Sequence, residues 1–527
     1  MKLPSGSYAG VISAREEWGL ATTIERPRVA TSDVLEEKKK LKKSLFRWDL
    51  ALFSICALVG IDTLGAAASF GTQTLFWLVF LSVFFLIPYA LITAELGTSY
   101  PVEGAVYEWV RLAYGHLAGG VTAVVYWIAN PVWLGGTLAA TAVAAMDALW
   151  GTKINGNTGL AIVVGLAFVW IAITMNILSL RNMKWVPALG TVVRLVLLAL
   201  FGLLVIGSIA GGHHAGGISG GDLAPTAAVF VGVLGVLIFN YVGFELQSNA
   251  SEEMGDPRRD VPKSIGVTWL VGTLAYLIPV AGILLVLSSK DITNVGGFVS
   301  GYQAVVTNVV GSGAANVLNG IVGLAVVFSL MAGGVVWLMG ADRAMAIGSA
   351  AGSGPRALGH FSKRFGTPVT VNVLSGILAT IFMVGTFLFT SGNLQSFFKV
   401  VLGLVISTTT FSYLLVFPAV ITLRRKFGTA GRGFRIPGGA ATVWLCAILC
   451  EFFIVAATVF SLWPGICTAN GCFSGDATAA QGSMSRLAYE AVVLGTMALI
   501  LGIGVVFWAI GRSRQTNDQP VLQEGAS

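Results

Sequence analysis

Asp62 stands between Gly60 and Gly65 in the apolar run Ala57-Leu58-Val59-Gly60-Ile61-Asp62-Thr63-Leu64-Gly65. Glu245 closes a second such run, Phe239-Asn240-Tyr241-Val242-Gly243-Phe244-Glu245. A charge at mid-depth of a membrane helix costs about 2.5–3.5 kcal/mol on insertion scales, so it persists where it faces water, a partner or a solute. Neighbouring glycines let the helix break there, and a broken helix frees backbone amides and carbonyls that bind ions and charged groups. Arg194, inside another apolar run, adds a cation that keeps its proton at any working pH. The chemistry on offer is reversible binding of a charged solute within a membrane. No catalytic residue, cofactor or metal is expected. The chain has no Gly-x-x-x-x-Gly-Lys-Ser/Thr loop for a nucleotide and no His-Glu-x-x-His helix. His213 and His214 lack the further ligands a metal needs.

The elements that must position these residues are membrane helices. Of 527 residues, 55% are hydrophobic and only 11% charged, against roughly 25% charged in a soluble domain. That excludes soluble enzymes, disordered chains and fibres. Runs long enough to span, about 20 apolar residues each, fall near 48–70, 74–97, 118–147, 159–180, 185–209, 226–250, 263–288, 314–345, 369–390, 394–423, 440–463 and 486–511. The expected fold is an all-α polytopic membrane protein of about 12 transmembrane helices. Residues 1–45 read as a cytoplasmic tail, 46–425 as a ten-helix transport core, 440–511 as two additional helices and 512–527 as a second tail. Pro131 predicts a kink in the third span beside Asn130.

With the N-terminus inside, 27 Lys and Arg lie in inner segments, whereas the outer loops carry only Lys153, Lys290 and Arg486. This bias explains the net charge of +7 without nucleic acid, and it predicts a multi-pass protein of the plasma (inner) membrane with both termini cytoplasmic. Cys467 and Cys472 then fall in one outer loop, where they could pair as a disulfide or stay as two thiols. Lys399, near the start of span ten, reads as a structural residue snorkelling to the outer surface.

Breaks at corresponding places in spans one and six are the sequence signature of a secondary transporter's binding site. Three further segments specify the reading. They are Ala94-Glu95-Leu96-Gly97-Thr98-Ser99-Tyr100-Pro101 with Glu103, Gly104 and Tyr107; Phe239–Glu245 followed by Ser251–Lys263; and Arg343–Pro368. In this order they resemble the amino acid–polyamine–organocation superfamily over about residues 46–511. The resemblance implies two inverted five-helix repeats (5+5) with helices 1 and 6 broken, plus two peripheral helices. It implies alternating access driven by protons or exchange, with substrate held between spans one and six and walled by spans three, eight and ten. Gly60, Ile61, Asp62, Thr63, Phe239, Asn240, Tyr241, Gly243, Asn130, Ser329 and Ser407 are then the substrate-binding candidates. Trp133 and Thr408 are further wall candidates. Arg194 stands where sodium-independent relatives carry a lysine, which implies sodium independence.

Asp62 departs from the glycine-rich first span in which relatives cradle a substrate carboxylate. Two anions repel strongly at that spot, so an amine would be welcome there. A polyamine or other cationic amine and an ordinary amino acid both remain open, the latter with Asp62 turned away or protonated. A protonated Asp62 could also carry the coupling proton. Glu245 could bind the amine, carry a proton or bond the unwound backbone of span one. The loop after span six, acidic at Glu252, Glu253 and Asp256 and basic at Arg258, Arg259 and Lys263, reads as a gate or brace, or as a solvated loop. The expected partners are a small amino acid or amine, protons and the lipid bilayer, with no nucleic acid, and oligomeric state stays open. A channel or a nutrient sensor on the same fold is the alternative to a carrier.

Overall fold

The computed structural model describes residues 27–28, 47–100, 104–151, 154, 157–178, 185–218, 220–246, 257–389, 394–428, 434–463, 467–468, 471–472, 486–515 and 521–522. Helix α1 (Arg47–Leu58) stops at the glycine-bearing segment, and α2 (Leu64–Ala68) resumes beyond Asp62. Helix α3 (Gln73–Ser99) carries a π turn at Ser82–Leu86, and the short α4 (Ala105–Tyr114) follows it. In α5 (His116–Trp150) Pro131 removes one ladder hydrogen bond, and a π turn at Leu134–Leu138 follows directly. The widened turn re-aims the side chains it carries, Thr137 among them.

Helix α6 (Thr158–Ile177) starts where Asn157 accepts from the Leu160 amide at 3.1 Å. Then come α7 (Trp185–Ala210) and α8 (Ala227–Tyr241), which ends at an extended Val242. Helix α9 (Pro257–Val286) precedes α10 (Gly297–Ser353), a long element bent at Gly311, whose φ of 75° leaves the helical region. The bend adds a helical stretch before the expected eighth span, in what reads as an outer loop from hydropathy alone. Helices α11 (Val369–Phe389), α12 (Leu394–Tyr413), α13 (Val416–Phe427), α14 (Gly439–Leu462) and α15 (Arg486–Gly511) complete the order.

Among the described residues, nine helices are long and apolar enough to cross a membrane, and Ala227–Tyr241 and Val369–Gly385 are shorter apolar helices. With the broken α1–α2 pair these account for the predicted spans. Large apolar side chains face outward along several helices, for example Leu203, Leu324, Ile381 and Leu499, as lipid rather than water requires. Inside, polar residues tie helices together. Asp342 of α10 accepts from Asn176 of α6 at 2.9 Å and from Ser375 of α11 at 2.6 Å. Ser375 in turn accepts from Trp127 of α5 at 2.8 Å. At the basic end, Arg424 of α13 grips both oxygens of Glu95 on α3, at 2.6 and 2.5 Å. Cys467 and Cys472 are register partners across a two-stranded antiparallel pair, while their side chains lie outside the described residues. So do those of the charged loop after the sixth span.

Candidate substrate site

A helix that ends in mid-membrane leaves its last carbonyls without partners. At the end of α1 three distant side chains supply them. Arg194 of α7 donates through Nη1 to Cys56 O at 2.6 Å. Trp337 of α10 donates to Ala57 O at 2.8 Å. Tyr276 of α9 donates to Leu58 O at 2.7 Å and accepts from the Gly60 amide at 2.7 Å. Arg194 also donates through Nε to Ser329 Oγ at 2.8 Å and through Nη2 to Ser329 O. One guanidinium therefore joins the break in the first span to α10.

Asp62 sits in this break, 2% exposed. Its Oδ2 accepts from Trp133 Nε1 at 2.9 Å and from Thr137 Oγ1 at 2.8 Å, both on α5. Its Oδ1 is buried and has no protein partner among the described residues. Gly60, Ile61, Asp62, Trp133 and Arg194 line a cavity of ≈ 10 Å³ of water-centre volume, room for about one water-sized group. An unpartnered buried carboxylate oxygen is costly and marks a place for a donor.

One residue on, Thr63 Oγ1 donates to Asn240 Oδ1 at 2.6 Å, so the two breaks are joined directly. Asn240 Nδ2 is likewise buried without a partner among the described residues. Phe239 stacks edge-on near Trp133, and Trp133 near Trp337, each at 6.0 Å between ring centres. Gly243 forms the break in the sixth span at φ 132°, and a Cβ there would stand 3.2 Å from the Trp337 ring. The backbone angle demands glycine, and the ring leaves a side chain there little room.

Glu245 belongs to a different cluster. Its carboxylate accepts from Tyr126 of α5 at 2.7 Å, from Tyr413 of α12 at 2.6 Å, and from Tyr89 of α3. Tyr89 Oη also accepts from the Gly243 and Phe244 amides at 2.9 and 3.1 Å. The three phenols thus hold the resumed part of the sixth span, and Glu245 does not line the Asp62 cavity. Among the remaining candidates, Asn130 donates to Tyr126 O at 2.8 Å within its own helix. Ser407 and Thr408 bond back to Leu404 O at 3.0 and 2.8 Å. Tyr241 reaches away to Leu78 O at 2.9 Å.

Thr137, Tyr276 and Trp337 have no place in the sequence reading. Pro131 was the only local signal for Thr137. For Tyr276 the available signal was general, since a phenol or indole in lipid needs a polar partner.

At the start of α2 the chain is closed tightly. A Cβ on Gly65 would stand 2.5 Å from Thr293 O and 2.8 Å from Gly297 N. The backbone of the broken span therefore lies directly on the segment that opens α10.

Comparison with known proteins gives this arrangement its family. The family model for amino acid permeases matches residues 45–471. A probable agmatine/putrescine antiporter of Lactococcus lactis is 27% identical over 434 residues, covering 81% of this chain and 89% of the relative. A branched-chain amino acid permease of Bacillus subtilis is 27% identical over 449 residues, covering 79% and 89%. A serine/threonine exchanger of Bacillus subtilis is 25% identical over 213 residues, covering 39% and 45%. With its broken first helix, its multi-pass apolar helices and a family match over most of its length, the chain belongs to the amino acid permeases of the amino acid–polyamine–organocation superfamily.

Proposed function

We propose that this transporter carries a cationic amine, that it does so by exchange through alternating access, and that it needs no sodium. The observation that carries the reading is Asp62 Oδ1, a buried acceptor without a partner in a cavity sized for one ammonium-like group. A primary ammonium supplies a charged donor there. The similarity to a probable agmatine/putrescine antiporter supports the same class of substrate. Sodium independence is supported by the carbonyls at the end of α1, which already receive protein donors, Arg194 among them. The basic residues along one set of loops support a plasma-membrane orientation with cytoplasmic termini.

A second reading is favoured by Arg194 in the wall of the same cavity and by the free Asn240 amide. A zwitterionic amino acid would set its ammonium on Asp62 and its carboxylate toward one of these donors. Proteoliposomes loaded with putrescine separate the two. Under the amine reading, labelled putrescine enters only against internal amine, without sodium, and leucine does not compete. Competition by zwitterionic amino acids alone would overturn it.

A further inference from the structure

A larger cavity, ≈ 90 Å³ of water-centre volume, lies at the end of the bundle away from most basic residues. It is walled by residues from α2, α8, α12, α14 and α15 and by Asn294 before α10. Much of the wall is apolar, with Phe70, Val231, Leu402, Ile406 and Phe460. Its polar lining residues are Ser69, Asn294, Ser461 and Tyr489, with Lys399 as the charged one among the described residues. Lys399 of α12 lines it and has no ion-pair or hydrogen-bond partner among the described residues. Asn294 stands beside Ser69, its side-chain amide 2.9 Å from Ser69 Oγ, which also bonds Ala66 O at 2.7 Å. Among the described residues, no acidic side chain lines the cavity.

A lysine facing a mostly apolar chamber, with hydroxyls and an amide nearby and no carboxylate among the described lining residues, is arranged for an anion with an apolar body. Pockets of this composition, mostly apolar with a few convergent polar groups, are the ordinary form of small-molecule sites. We propose that this cavity binds a small carboxylate with a short branched or straight apolar tail, at Lys399. The site is separate from the Asp62 cavity and does not depend on which substrate that cavity takes. It also reassigns Lys399, whose place near a helix end otherwise suggests only snorkelling.

The test is thermal unfolding of the purified full chain titrated with 3-methylbutanoate at constant ionic strength, with 3-methylbutanamide and sodium chloride as controls. The carboxylate should stabilise the wild type, and the amide and chloride should not. Lys399→Met should weaken the carboxylate effect ~10-fold or more, as loss of a charge-assisted hydrogen bond does. Lys399→Arg should retain it, which separates loss of charge from misfolding. Asp62→Asn should leave the carboxylate effect unchanged while it changes the response to putrescine. Equal stabilisation of the Lys399→Met protein, equal stabilisation by the amide or chloride, loss in the Asp62→Asn protein, or no stabilisation at all would overturn the proposal. Stabilisation by decanoate but not by 3-methylbutanoate would place a lipid chain in the cavity and overturn it equally.

Discussion

Replacing Asp62 with asparagine tests the amine site with little change of shape. The asparagine carbonyl can take the place of Oδ2 and accept from Trp133 and Thr137, which now donate at 2.9 and 2.8 Å. The amide nitrogen then replaces Oδ1, the oxygen that has no protein partner. A cavity that offered an acceptor would offer a donor. An ammonium about 3 Å from a carboxylate oxygen is attracted by about 5–6 kcal/mol at an effective dielectric of about 20. Stripping water from the ammonium offsets part of this, and truncating buried charge pairs in other complexes leaves net losses of about 2–5 kcal/mol. Taking about 3 kcal/mol, the apparent affinity for putrescine should fall ~100-fold. The assay is concentration-dependent putrescine exchange in proteoliposomes, with the unliganded unfolding midpoint recorded to confirm that the fold survives. An unchanged affinity in a folded Asp62→Asn protein would refute the reasoning, because the ammonium would then lie elsewhere.

Arg194→Ala strips donors from Cys56 O and from Ser329. At about 1–3 kcal/mol for each buried acceptor left unsatisfied, it should lower the unfolding midpoint markedly, and an unchanged midpoint would show that the guanidinium does not hold the break. Tyr276→Phe removes the acceptor for Gly60 N and the donor for Leu58 O; a loss of about 2 kcal/mol is expected, read by thermal unfolding beside a lower exchange rate. Gly243→Ala forces a side chain into φ 132° and toward the Trp337 ring at 3.2 Å. A cost of about 1–3 kcal/mol is expected, and wild-type stability would contradict the conformation of the break. For Glu245 and Tyr126, a double-mutant cycle with Glu245→Gln and Tyr126→Phe should give a coupling of about 0.5–3 kcal/mol, whereas additive losses would mean the two do not interact.

The sequence by itself determined what lipid enforces. A chain with so few charges must satisfy its backbone within helices, so the spans follow from hydropathy, while the placement of Lys and Arg gives the expected orientation. The same scarcity singles out Asp62, Arg194 and Glu245, because a charge inside a span needs a reason. The break between Gly60 and Gly65 is legible too, since glycines and an acid interrupt an apolar run. The partners of these groups are not legible. Cys56, Ala57 and Leu58 are capped by residues 138, 280 and 218 positions away, and helix packing alone brings them there. Sequence spacing puts Asp62 and Glu245 in corresponding breaks, but only the tertiary structure decides that one carboxylate keeps an unpartnered oxygen while three tyrosines enclose the other. Local sequence sets where a helix can end. Which side chains meet that end is set by how distant helices stack, so the chemistry of the site was decided there.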